Sequence, residues 1–226
     1  HKKRHFLLFS PVRDLQAPHR RAIIRSVYKS RKEAFIKKMQ TGNFVLAGEA
    51  MALFIAQEEV PLEEVNLWSS GIAGAELNVA IGLARLGHRV SYLTALGDDT
   101  FGRKIRAFLT ANHISDELAF CDPKRMTGFM LKGKTSRGDP PIQYFRKGSA
   151  ASALAGPERS RCREGRAGGF LHMTGIFPAL SEQTLAASEA MMRRARELGM
   201  TVTFDPNLRP QLWPEEGTLV RTLNRL

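Results

Sequence analysis

Cysteine is nearly missing from this 226-residue chain: Cys121 and Cys162 stand far apart and form no CxxC pair. That excludes a disulfide scaffold and points to a reducing, cytoplasmic compartment. No His/Cys group has the spacing of a zinc site, so no metal ligand is assigned. No apolar run approaches the roughly 18 residues of a membrane-spanning helix, and "HFLLFS" is too short for the apolar region of a secretory leader. No G-x-G-x-x-G follows a strand-like run, which argues against a dinucleotide-binding first βαβ unit.

Acidic residues are scarce in one place only. Residues 1–40 hold twelve Lys/Arg against Asp14 and Glu33, a net +10 out of the chain's +12. Residues 41–226 therefore carry only +2, and the pI of 10.2 is no sign of nucleic acid binding by the domain. Residues 1–40 read as a basic tail of doubtful structure. We expect the natural protein to begin at or near Met39; an Arg-rich organellar presequence is the rival reading.

From residue 41 onward the pattern is that of a fold. "FVLAGEAMALFIA" reads as two strands around a Gly break, "AELNVAIGLARLG" as a helix stopped by Gly87, and "HRVSYLTALG" as a strand. "DDTFGRKIRAFLTANHI" reads as a helix capped by Asp98, Asp99 and Thr100. "GFLHMTGI" and "MTVTFDPN" read as strands around a helix that starts at Ser181 and ends at Gly199. Strand–helix alternation predicts an α/β fold, a Rossmann-like, mostly parallel sheet flanked by helices. The hairpin-like pieces near 50–72 and 128–146 predict a small antiparallel sheet projecting from it.

Four motifs bear on chemistry. "GFMLKGKT", Gly128 to Thr135, matches G-x-x-x-x-G-K-[ST], but its middle is strand-like and "SRGDPP" cannot start a helix, so it is no phosphate loop. In "GIAGAELNVA", Gly74 permits close backbone approach and Asn78 offers an amide to a sugar hydroxyl; close helix packing explains the pattern equally well. In "FDPNLRPQLWP", Asp205, Asn207 and Arg209 follow a strand end, where open α/β sheets place their sites; an Asx turn is the plainer reading. In "QYFRKGSAAS", strand alternation puts Tyr144 and Arg146 on one face and Phe145 on the other. A guanidinium fork beside a phenol suits the carboxylate of a small polyhydroxylated acid, while a surface strand with alternating packing remains the plain alternative. His172 reads as a core histidine.

"AGAELNVAIGLARLGHRVSYLTALGDDTFG" resembles the N-terminal signature of the ribokinase-like (PfkB) carbohydrate kinases. "YFRKGSAAS", "LHMTGIFPALS" and "DPNLRPQLWP" resemble its branch acting on 2-keto-3-deoxygluconate. The resemblance implies ATP-dependent phosphorylation of that sugar acid to its 6-phosphate, with Mg²⁺, on a domain with a small β-sheet lid. It implies substrate contacts at Gly74, Ala75, Glu76, Leu77, Asn78, Tyr144, Arg146 and Arg209, with Asn207 and Arg209 also bordering the nucleotide. It leaves room for a homo-oligomer through the lid sheet, and implies neither a membrane nor a nucleic acid partner for the domain.

Departures are visible. Glu76 stands where the wider signature prefers a small residue, and Met130 where some relatives place a tyrosine. Residues 155–169 lack the usual helix. The family's catalytic Asp, in a Gly-Ala-Gly-Asp turn, is absent before Leu226. We therefore expect 41–226 to be the substrate-binding N-terminal part of such a kinase, truncated and inactive as it stands. Alternatives are a kinase for a neutral sugar such as fructose, an inactive sugar-binding fragment, and nucleic acid binding through residues 1–40.

Overall fold

Turn chemistry and side-chain periodicity set the elements. The computed structural model describes residues 42–155 and 169–226; the expectations for residues 1–40, Cys162 and the Arg/Gly-rich run at 156–168 lie outside the described residues. The order is β1 (Asn43–Ala47), β2 (Met51–Ala56), β3 (Trp68–Ala73), α1 (Ala75–Arg85), β4 (Arg89–Gly97), α2 (Thr100–Ala111), β5 (Ile114–Ser115), β6 (Ala119–Asp122), β7 (Phe129–Lys132), β8 (Ile142–Phe145), β9 (Phe170–Thr174), α3 (Glu182–Glu197), β10 (Thr201–Asp205) and α4 (Glu216–Arg225). Asp99 caps α2 by accepting the Gly102 amide at 2.7 Å. Ser181 and Thr184 form a reciprocal capping box at the start of α3. Gly87 and Gly199 follow α1 and α3 with φ of +85° and +67°, the left-handed geometry that ends a helix at low steric cost.

The larger sheet is parallel throughout, in the order β10-β9-β1-β4, with β5 pairing the first half of β4 and β6 the second. Alternation along the strands divides the core. Leu46, Val90, Tyr92 and Leu96 pack under α1 and α2 with Leu77, Ala80, Ile105 and Leu109. Ala47, Leu93, Ala95, Leu171 and Met173 pack under α3 with Ala187, Met191, Met192 and Ala195. Helices on both faces explain why these strands read as nearly continuous apolar runs.

The second sheet runs β3-β2-β7-β8. It is mixed rather than antiparallel as expected: β2 pairs β3 antiparallel and β7 parallel, and β7 pairs β8 antiparallel. The physical reason is that β2 and β7 are joined through β3, α1, β4, α2, β5 and β6, a connection long enough to bring β7 back in the same direction. "GFMLKGKT" lies on β7 and the turn after it, with no helix following. No helix among the described residues is long and apolar enough to cross a membrane.

Candidate functional site

The only crossing from β1 to β2 is the tripeptide Gly48-Glu49-Ala50, fully buried at the C-terminal end of β1 where the two sheets meet. A charged residue in such a place must be paired, and Glu49 is. Its Oε2 lies 2.6 Å from Arg146 Nη2, a close ion pair. Its Oε1 accepts from Ser149 Oγ at 2.6 Å. Burial pushes the Glu49 carboxyl above its ordinary value, while Arg146 and Ser149 pull it back.

A second carboxylate closes the same seam. Glu76, on the first turn of α1, is 1% exposed and accepts from Thr174 Oγ1 at 2.6 Å, at the end of β9. Burial raises it to about 7, against the pull of Thr174 and Arg146, and Glu49 adds to the rise. Tyr92, from the middle of β4, presents a fully buried hydroxyl without a hydrogen-bond partner among the described residues; burial and then the fields of Glu76 and Glu49 push its phenol up. The backbone makes room for these groups. A Cβ on Gly48 would run into the Glu76 carboxyl, and one on Gly128 would sit 2.8 Å from Glu49 Oε1.

On the lid side, Arg146 follows β8 directly. Its Cζ lies 5.5 Å from the Tyr144 ring centroid, and its Nε–H is buried without a partner among the described residues. Phe145 points the other way and stacks on Phe129 with centroids 4.5 Å apart. The alternation read from the sequence therefore places Tyr144 beside Arg146. The small residues after it also have a use. Ser149, Ala150, Ala151 and Ser152 are all buried, and Ser149 Oγ reaches back to Glu49.

The other expected residues lie at the start of α1, on β9 and after β10. Asn78 is exposed on α1, and its backbone N–H donates to the Gly74 carbonyl at 3.0 Å. Leu77 is a core residue, and Ala75 is half-buried beside the buried Gly74. Gly74 is needed for close approach to the chain's own backbone: a Cβ there would lie 2.9 Å from the Glu49 carbonyl. Arg209 is exposed on the loop after β10 and donates to the Leu208 carbonyl at 2.9 Å. Asn207 adopts φ +39°, and its amide donates to Asp205 Oδ1 at 2.9 Å, an Asx turn. His172 bonds Thr203 Oγ1 through Nδ1 at 3.0 Å, and burial lowers its pKa.

Residues 42–226 match the family model described as pfkB family carbohydrate kinase. The chain belongs to the PfkB family of carbohydrate kinases. This PfkB chain is 43% identical over 183 residues to the 2-dehydro-3-deoxygluconokinase of Bacillus subtilis (strain 168), covering 80% of this chain and 56% of the relative. It is 31% identical over 174 residues to the probable fructokinase-2 of Arabidopsis thaliana, covering 76% and 52%. A PfkB protein from Polaromonas sp. JS666 shares its fold with a TM-score of 0.75 at 42% identity, over 81% of this chain and 62% of that one. The chain spans about half the length of the curated relatives it matches. Within this PfkB domain the described seam thus joins the parallel sheet to the four-stranded lid.

Glu49, Ser149, Thr174 and Tyr92 are the members of the seam that reading the sequence misses. Glu49 left a signal: it is the one acid in the apolar run "FVLAGEAMALFIA". The other three look like ordinary strand and turn residues, and only the fold brings them to the carboxylates.

Proposed function

We infer that this chain contributes the sugar side of an ATP-dependent sugar-acid kinase, one that converts 2-keto-3-deoxygluconate to its 6-phosphate. The observation that carries the reading is Arg146: a guanidinium largely enclosed at the sheet–lid seam, with a buried Nε–H that no group among the described residues accepts. A buried donor without a partner is costly, and a carboxylate on a small ligand would satisfy it across a guanidinium edge. The likeness to the Bacillus subtilis 2-dehydro-3-deoxygluconokinase supports the same substrate.

In this reading Tyr144 walls the sugar, the solvent-facing side of the Gly74–Asn78 segment lies beside it with Asn78 offering its side-chain amide to a hydroxyl while Glu76 and Leu77 support the segment from the core, and Arg209 adds a second cationic contact. Asn207 and Arg209 border the nucleotide. Phosphoryl transfer asks a protein chiefly to hold acceptor and donor in line and to stabilise developing charge; the residues named here serve the first task. No group of three or more His, Cys, Asp and Glu side chains among the described residues fits a metal ion, so no step is assigned to Mg²⁺. A reducing, cytoplasmic setting suits a nucleotide-dependent metabolic step of this kind.

A neutral-sugar kinase is the second reading, favoured by one observation: Glu49 already faces the Arg146 charge. Calorimetric titration of the 226-residue chain with 2-keto-3-deoxygluconate and with fructose separates the two. The sugar-acid reading expects at least tenfold tighter binding of the acid; equal or tighter binding of fructose overturns it.

A further inference from the structure

We propose that Glu49 is a positioning residue, which fixes the Arg146 guanidinium so that its Nε–H edge is presented to the carboxylate of a sugar acid. The ligand assignment rests on the reading above; the positioning itself rests on the chain's own geometry. An arginine side chain is long, and a guanidinium left to itself samples many orientations. Here two neighbours restrict it. Glu49 holds Nη2 at 2.6 Å, and the Tyr144 ring lies 5.5 Å from Cζ.

Glu49 is in turn held from behind. Ser149 Oγ donates to its Oε1 at 2.6 Å, and Ser149 Oγ accepts the Ser152 amide at 3.2 Å. Ser152 Oγ donates to the Ser149 carbonyl at 2.8 Å, and the Ser152 carbonyl accepts from Ser181 Oγ, the N-cap of α3, at 2.6 Å. Glu49 itself sits on the shortest link between the two sheets. The guanidinium is thereby referenced to the helix and to the parallel sheet at once, although its own strand belongs to the lid.

This arrangement has an electrostatic cost that makes the role testable. Glu49 cancels the charge of Arg146, and a ligand carboxylate would add a third charge beside Glu76. Were Glu49 only a counterion, removing its charge would tighten binding of an anion. If it is a positioning group, removing it weakens binding, because the fork is no longer held in place.

The experiment titrates the full 226-residue chain and its Glu49→Gln and Glu49→Asp variants with 2-keto-3-deoxygluconate and with fructose. The expected result is at least a tenfold loss of sugar-acid affinity in Glu49→Gln, partial recovery in Glu49→Asp, and less than a twofold change for fructose. Unchanged or tighter binding of the acid in Glu49→Gln overturns the proposal. A ligand-free readout separates this failure from failure of the substrate reading: the ¹⁵N-edited Nε–H resonance of Arg146, assigned with Arg146→Lys. Positioning predicts that it shifts and exchanges faster with solvent in Glu49→Gln; an unmoved resonance overturns positioning whatever the sugars do. Ser149→Ala, which keeps both charges and removes only the anchor on Oε1, should move the resonance in the same direction by less. It carries the test should Glu49→Gln not fold.

Discussion

Replacing Glu76 by glutamine should change how stability depends on pH, and the structure gives the size of the change. The carboxyl is fully buried, and burial raises its pKa from an ordinary 4.5 to about 7. Because the folded value lies above the unfolded one, the folded state binds more protons between pH 4.5 and 7 than the unfolded state does. Stability therefore falls as pH rises through that window and levels off above it. Linkage with these two values gives a loss of about 2–3 kcal/mol between pH 5 and pH 8 at Glu76, part of it set by the neighbouring Glu49 charge. Glutamine has the same shape, stays neutral, and still accepts from Thr174, but its NH2 group, unlike the second oxygen of the carboxyl in either protonation state, cannot accept the hydrogen bond from the residue's own backbone. That should cost about 1 kcal/mol at pH 5. The variant should then be slightly less stable than the parent at pH 5 and more stable by roughly 1–2 kcal/mol at pH 8, with the curves crossing between. Urea unfolding of both proteins at half-unit steps of pH measures this; His172 and the surface groups titrate alike in both and cancel. Parallel pH profiles for parent and variant would refute the reasoning.

Two further perturbations follow from the same seam and its neighbours. Gly48→Ala should destabilise by about 1–3 kcal/mol, because its Cβ runs into the Glu76 carboxyl; pairing it with Glu76→Ala should recover most of the loss in a double-mutant cycle, and additive losses would count against the contact. Asp99 accepts the Gly102 amide at the start of α2 and the Thr127 amide, each at 2.7 Å. Burial alone would raise its carboxyl, and these amides more than offset that and hold it low. Asp99→Ala should therefore cost about 1–2 kcal/mol at neutral pH, and the difference should shrink as pH falls through the depressed pKa; chemical denaturation at pH 3 and pH 7 checks both statements.

How much was legible in the sequence depended on the range of the interaction. The helix ends at Ser181, Gly87 and Gly199 follow from local chemistry and appear where the residues predict. Tyr144 and Arg146 share a face because strand alternation is also local. The pairing of β2 with β7 was not legible, since nothing near either strand announces its partner or direction. The partner of Arg146 was hidden for the same reason: Glu49 lies 97 positions away, and its place in the run around it fixes burial but not who neutralises it. Gly74 also makes room for the Glu49 carbonyl, a contact within the chain that the spacing around residue 74 does not announce. Short strands such as β5, two residues long, carry too little pattern to be seen.

The most direct measurement is calorimetric titration of the chain and its Arg146→Leu variant with 2-keto-3-deoxygluconate and with fructose. A charge-assisted hydrogen bond is worth about 1.5–3 kcal/mol, so the variant should lose roughly 10- to 150-fold in affinity for the acid while fructose binding stays within about twofold. Equal losses for the two sugars, or none for either, would contradict a carboxylate-reading role for the guanidinium at the sheet–lid seam.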